Sequence, residues 1–342
     1  MPSTDAATRS SSDAALALDA AASSVASIDT PADQWTWLPI DGARCANGTP
    51  TGVGINRSTV SNDLVIMLEG GGACWDADTC ITTPAAVHLQ DTYDATLFAS
   101  DFVVHTSPVM RDPNNPFATA TTVFVPYCTG DLHAGDVTRT YSVGGTTRQV
   151  QHVGARNIDA ALARLRSGLP LPHTVWVLGS SAGGYGATLN FAQIAAAFPG
   201  AQLHMLADCA PLVTPAGARF STWRTAWQMR TPLGCNNCDT SFGSVIDALA
   251  TKYPSSRIGL LAFAQDATIA SYFGFDGPTL QQQLDALLAA SYQHPATRYF
   301  VAPGSMHTML GSVATQKAGD GTTLQAWLTA WMLGLPSWQN AR

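Results

Sequence analysis

Charge is scarce in this sequence. Only 12% of its 342 residues are Asp, Glu, Lys or Arg, about half the usual share for a soluble domain. Positive charge is scarcer: 17 Lys and Arg stand against 24 Asp and Glu, a net charge of −7. Such a chain has no basic stripe with which to neutralise phosphates, which excludes nucleic acid as a partner and gives no hold on anionic lipid. No apolar run approaches the roughly 18 residues of a membrane-spanning helix, and no internal repeat is present. Residues 1–30 lack glycine and aromatics. They also lack a charged start followed by an apolar stretch, so they are not themselves a signal peptide.

Residues 1–33 read instead as a flexible Ala/Ser-rich tether, of the kind that follows a removed signal or a lipoprotein anchor. A weak Ala-rich helix over Asp13 to Ala26 is the alternative. The remainder, 34–342, is expected to be one catalytic domain. Apolar residues make up 46% of the chain and nine are Trp, enough for a sizeable core and too many for disorder. Low charge and seven Cys point to an exported protein, secreted or otherwise extracytoplasmic, whose signal segment is absent from this chain. A monomer is expected.

Strand and helix patterns alternate. Trp35 and Trp37 alternate with polar positions as in a strand, and Leu64 to Leu68 is a buried apolar run entering a glycine loop. Further strands are predicted over Thr121 to Val125, Thr174 to Leu178, Gln202 to Leu206, Arg257 to Ala264 and Thr297 to Ala302. Helices are predicted over Asn157 to Leu165, Ala182 to Phe198, Leu280 to Ser291 and Leu324 to Leu333. Continuous apolar strands separated by helices indicate a mostly parallel sheet covered on both faces, with functional groups in the loops at the strands' carboxyl ends. The stretch 210–252 breaks the alternation and reads as a helical, cap-like insertion.

Gly179-Ser180-Ser181-Ala182-Gly183 fits G-x-S-x-G. The pattern alone is weak, but it directly follows a predicted strand and opens a predicted helix, as a nucleophile elbow must. Ser181 is then the nucleophile. A serine hydroxyl needs a base, and the base needs a carboxylate. In this type of fold the chain order is Ser, acid, His. Five of the eight His precede Ser181, His204 lies within a strand and His294 precedes the last one. His307, in the loop after the last strand, is therefore the expected base. Asp266, after the penultimate strand, is the expected acid, with Asp208 as the alternative. One oxyanion donor is the Ala182 N–H. The other should come from the loop Glu69-Gly70-Gly71-Gly72-Ala73, which has neither the Lys of a P-loop nor the spacing of a dinucleotide fingerprint.

Asp131, His133 and Asp136 have the look of metal ligands but no second cluster, so loop hydrogen bonding is expected of them, with no metal and no cofactor. Cys74 and Cys80 share a loop, Cys235 and Cys238 share a turn, and Cys45 and Cys128 remain as a long-range pair, leaving Cys209 single. Six Cys alone allow fifteen pairings. Zinc at Cys235 and Cys238 would need a second ligand pair that the sequence does not offer.

The segments Leu68 to Trp75 followed by Cys80, Val125 to Gly130, Gly154 to Ile158, Gly179 to Gly184 and Leu206 to Asp208 together resemble the pectin acetylesterase and Notum family. The likeness runs from about Cys45 to His307. It implies an α/β-hydrolase-like fold, carboxylic-ester hydrolysis, a triad of Ser181, Asp266 and His307, and oxyanion donors at Gly71, Gly72 and Ala182. The chain departs from the family in having only small residues at Gly72 and Ala73, and Cys209-Ala210-Pro211 after Asp208.

The function expected is a secreted serine esterase removing acetyl or other short acyl groups from a polysaccharide or similar ester. Trp75, Trp223 and Trp227 are expected to meet the substrate. A lipase or polyester depolymerase on the same triad is the alternative enzyme, and a serine peptidase is a third. A polysaccharide-binding protein without catalysis is the non-enzymatic reading, and it would be marked by a missing triad residue.

Overall fold

The computed structural model describes residues 27–105 and 117–342. Most of the expected tether lies outside the described residues. Its last part does not stand free: Ile28 is buried, its N–H donates to the Gly168 carbonyl (2.9 Å), and the Asp33 N–H donates to the Arg57 carbonyl (2.9 Å). The folded body thus begins ahead of Gln34.

The described residues form ten strands: β1 (Trp35–Arg44), β2 (Pro50–Asn56), β3 (Leu64–Leu68), β4 (Thr121–Val125), β5 (Val137–Val143), β6 (Thr146–His152), β7 (Thr174–Ser180), β8 (Gln202–Asp208), β9 (Ile258–Phe263) and β10 (Thr297–Ala302). Eight of them form one sheet in the order β1-β2-β4-β3-β7-β8-β9-β10. From β4 to β10 every neighbouring pair is parallel, and β1 and β2 add an antiparallel edge. This is an open α/β-hydrolase-like sheet.

The helices are α1 (Ala95–His105), α2 (Gly154–Gly168), α3 (Ala182–Ala197), α4 (Arg219–Trp227), α5 (Ser244–Lys252), α6 (Ala267–Phe273), α7 (Gly277–Ser291) and α8 (Leu324–Leu333). Strand residues alternate between the two faces, as a period of two requires. Leu64, Ile66, Val175, Val177, Met205 and Leu260 point into a core shared with α2, α3, α5 and α7. Val65, Met67, Trp176, Leu178, Leu261 and Phe300 point into a second core with Trp327 and Trp331 of α8. Because both faces are covered, these strands read as unbroken apolar runs.

The hairpin β5–β6 was not legible. Its side chains are mostly exposed or half-buried, so no apolar pattern marks it. Its turn is Gly144-Gly145, both with positive φ, as a two-residue hairpin loop demands. The insertion at 210–252 supplies α4 and α5. Three disulfides are formed, Cys45–Cys128, Cys74–Cys80 and Cys235–Cys238, and Cys209 is a buried free thiol.

Candidate active site

The carboxyl ends of β3, β7, β8, β9 and β10 carry the residues singled out in the sequence. Ser181 sits between β7 and α3 with φ 56° and ψ −126°. A side chain held there costs about 1–3 kcal/mol, a strain found mostly at functional sites. The turn closes only because its flanks are glycine. A Cβ on Gly179 would lie 2.1 Å from the Gly183 carbonyl oxygen, and one on Gly183 would lie 2.0 Å from that of Leu68.

His307 follows β10. Its Nδ1 lies 2.8 Å from Asp266 Oδ2. A carboxylate accepts, so in the neutral imidazole Nδ1 carries the proton and Nε2 offers a lone pair. Nε2 is buried and has no hydrogen-bond partner among the described residues. Asp266 caps α6, its Oδ1 accepting the N–H groups of Thr268 and Ile269 (3.0 Å each). One carboxylate oxygen thereby anchors the Asp266 side chain while the other holds the imidazole. The loops that carry Asp266 and His307 are further laced together, with Gln265 N–H donating to the Gly304 carbonyl and Ala267 N–H to that of Ser305 (3.0 Å each).

Asp208 is not the partner of His307. It is fully buried and its carboxylate accepts from Ser180 Oγ (2.8 Å), from the Met309 N–H (2.9 Å) and from the Leu310 N–H (3.1 Å). Burial raises it above the usual carboxylate range.

The glycine loop passes beside the elbow: a Cβ on Gly70 would lie 3.1 Å from Ser181 Cβ. Gly71 (φ 142°) and Gly72 (φ 80°) adopt backbone that side chains rarely take. The loop is held from below by residues that the sequence did not single out for this purpose. Tyr127 Oη donates to the Gly72 carbonyl (2.9 Å), and His133 Nε2 donates to the Glu69 carbonyl (2.8 Å). Glu69, the only glutamate of the chain, accepts the Tyr127 N–H at Oε2 (2.7 Å). No spacing rule singles out such supports, because each has a backbone group, a carbonyl or an N–H, as one partner, and any residue offers those.

Asp131, His133 and Asp136 do not converge. Asp131 accepts from Thr129 Oγ1 (2.6 Å) and the Gly154 N–H (2.8 Å). Asp136 pairs with Arg156 and Arg230. Burial lowers His133 to about 4 and raises Asp131 to about 6.

The expected substrate contacts of Trp223 and Trp227 need correction. Their relative exposures are 1% and 0%. They stack on each other with ring centroids 5.4 Å apart, and Trp75 packs on Trp223 at the same separation. They are core side chains, because the cap folds its apolar face inward against the glycine loop. Trp75 is half-buried and lines a shallow groove of about 470 Å³ with Arg139, Tyr141, Ser221 and Thr222.

Residues 34–214 match the family model described as Pectinacetylesterase. That stretch is more than half of the chain and contains the glycine loop, Ser181 and Asp208; Asp266 and His307 lie beyond it. Among curated proteins the chain is similar to palmitoleoyl-protein carboxylesterase notum2 of Xenopus laevis, 28% identical over 44% of this chain and 30% of that protein. It is 27% identical to palmitoleoyl-protein carboxylesterase NOTUM of Homo sapiens, over 48% and 33%. The match thus spans about a third of the length of these relatives. Inactive palmitoleoyl-protein carboxylesterase notum1b of Danio rerio is 30% identical over 33% of this chain and 76% of its own length. A relative named as inactive means that likeness alone does not decide activity; the residues at the site must.

Proposed function

The chain belongs to the pectinacetylesterase family, and from that premise we propose that it is a secreted serine carboxylic-ester hydrolase acting through an acyl-enzyme. Ser181 Oγ attacks the ester carbonyl while His307 Nε2 takes its proton. Asp266 keeps the proton on Nδ1 and stabilises the imidazolium that forms. The N–H groups of Gly71, Gly72 and Ala182 receive the oxyanion. His307 then returns its proton to the leaving alcohol; in the second half a water gives its proton to His307 and attacks the acyl carbonyl, and that proton passes to Ser181 Oγ as the carboxylic acid leaves.

One observation carries this reading: an imidazole oriented by a buried carboxylate at 2.8 Å, with its other nitrogen buried and unpartnered, in the loop cluster that holds a strained serine. In the absence of substrate, catalytic hydrogen bonds are commonly long and tighten on binding.

The acyl group proposed is acetyl or another short chain on a polysaccharide or similar ester. Indole rings fill the space between the cap and the glycine loop, which favours a small acyl group over a fatty chain. The similar proteins named for a palmitoleoyl-protein ester support the longer-chain alternative, a lipase or polyester depolymerase. The three disulfides support an extracytoplasmic setting. Hydrolysis of p-nitrophenyl esters from acetate to palmitate, wild type against Ser181→Ala, tests the reading. Turnover highest on acetate and lost in the variant is expected. Turnover that survives in the variant refutes the nucleophile, and a maximum on palmitate refutes the short-acyl assignment.

A further inference from the structure

Asp208 ends β8, the strand between the one that carries Ser181 and the one that leads to Asp266. Its backbone carbonyl accepts the Ser181 N–H at 2.8 Å. Its carboxylate takes Ser180 Oγ on the elbow side. On the other side it takes the N–H groups of Met309 and Leu310, two and three residues past His307. The next residue continues the same seam: Cys209 Sγ accepts the Thr308 N–H at 3.2 Å. Three successive N–H groups after the base are therefore held by two successive residues of the strand beside the nucleophile. A fully buried charge is costly to desolvate, and β8 already has its backbone partners.

We propose that Asp208 is a positioning residue that sets the spacing between Ser181 and His307 by bonding at once to the loops that carry them; this rests on the triad reading above. The Met309 N–H is shared between both carboxylate oxygens, while Oδ2 also takes Ser180 Oγ and the Leu310 N–H. An amide in place of the carboxylate offers one accepting oxygen and turns its own N–H groups toward these donors, so both loops lose their common anchor.

The test is steady-state hydrolysis of p-nitrophenyl acetate by the full chain carrying Asp208→Asn, Ser180→Ala, Ser180→Thr, or Asp208→Asn with Ser180→Ala. Misplacement of reacting groups by about 1 Å costs on the order of 100-fold. Asp208→Asn should lower kcat by about 10- to 100-fold with KM within about twofold. Ser180→Ala should lose a smaller part of kcat and Ser180→Thr, which keeps the hydroxyl, should regain it. Ser180→Ala should cost nothing further in the Asp208→Asn background, because the link it breaks is already gone. A folded Asp208→Asn with wild-type kcat, or one changed in KM alone, overturns the proposal. If Asp208→Asn does not fold, Ser180→Ala at wild-type kcat overturns it as well. These failures are distinct from failure of the triad reading, which would appear as turnover that survives Ser181→Ala.

Discussion

Trp227 Nε1 donates to the carbonyl of Cys74 at 2.7 Å, joining residues 153 apart in sequence. Cys74 stands two residues past Gly72, and its own N–H donates to the Gly130 carbonyl (2.9 Å). The cap is thereby pinned to the end of the glycine loop. Trp227→Phe keeps most of the apolar bulk and leaves a buried carbonyl without its donor, a loss of about 1–3 kcal/mol. Urea unfolding should show that loss, and kcat on p-nitrophenyl acetate should fall with it. A variant with unchanged midpoint and kcat would show that the pin is dispensable.

Gly72 tests the oxyanion role proposed for the glycine loop. An alanine there would be strained at φ 80° and would bring its Cβ to 2.2 Å from the Ala85 carbonyl oxygen. Gly72→Ala should lower kcat by about 10²–10³, the cost of losing one oxyanion donor. Gly200→Ala is the control. It has a similar φ of 89° and open space around it, so it should lose on the order of 1 kcal/mol of stability and no kcat. Equal kinetic losses in both variants would argue against a special role for the loop.

The disulfides should separate stability from activity. Cys45–Cys128 spans 83 residues and Cys74–Cys80 spans six. Loop-closure entropy gives about 4–5 kcal/mol for the first and about 2 kcal/mol for the second. The short bridge lies beside the glycine loop. Replacing each pair by serine should therefore destabilise more at Cys45–Cys128 and cost more kcat at Cys74–Cys80. Denaturant melts with kinetics on the same samples check the crossed ranking, and a single common ranking would contradict it.

Three buried imidazoles set an acid limit. Burial lowers His133 and His152 to about 4 and His204 to about 3. Below about pH 6.5 the unfolded chain takes up these protons and the folded chain does not, so stability falls as pH drops from about 6.5 toward 4. Asp131, raised to about 6, works in the opposite sense, since its folded carboxyl gains a proton first. His204 Nδ1 accepts the Arg257 N–H (3.0 Å), a bond that an Asn side-chain oxygen can also accept. His204→Asn should flatten the slope of stability against pH in this window by up to about 1.4 kcal/mol per unit. Parallel slopes for variant and wild type would remove His204 from the account.

The placement of the candidate triad residues was more legible than the pocket. Ser181, Asp266 and His307 each lie in the loop that follows an apolar strand, and strand order fixes which loops meet, as the Asp266–His307 hydrogen bond shows. Asp208 also ends a strand and was the competing acid. Only the folded structure separates a carboxylate that holds an imidazole from one that holds backbone N–H groups. Trp223 and Trp227 were misplaced because a Trp-rich segment looks the same whether its rings face a substrate or a neighbouring loop. Ile28 went unnoticed because a single apolar residue in a polar stretch has no period. The β5–β6 strands carry mostly exposed polar side chains, and only their Gly-Gly turn hinted at them.

The central claim is that Ser181 is the nucleophile of an acyl-enzyme. It is tested most directly by treating the protein with a fluorophosphonate and mapping the modified peptide by mass spectrometry. Attack by Ser181 Oγ on phosphorus should expel fluoride and leave one phosphonyl group on Ser181, with turnover lost in proportion. Ester-hydrolysing protein that takes up no label, or takes it up on another residue, would contradict the account.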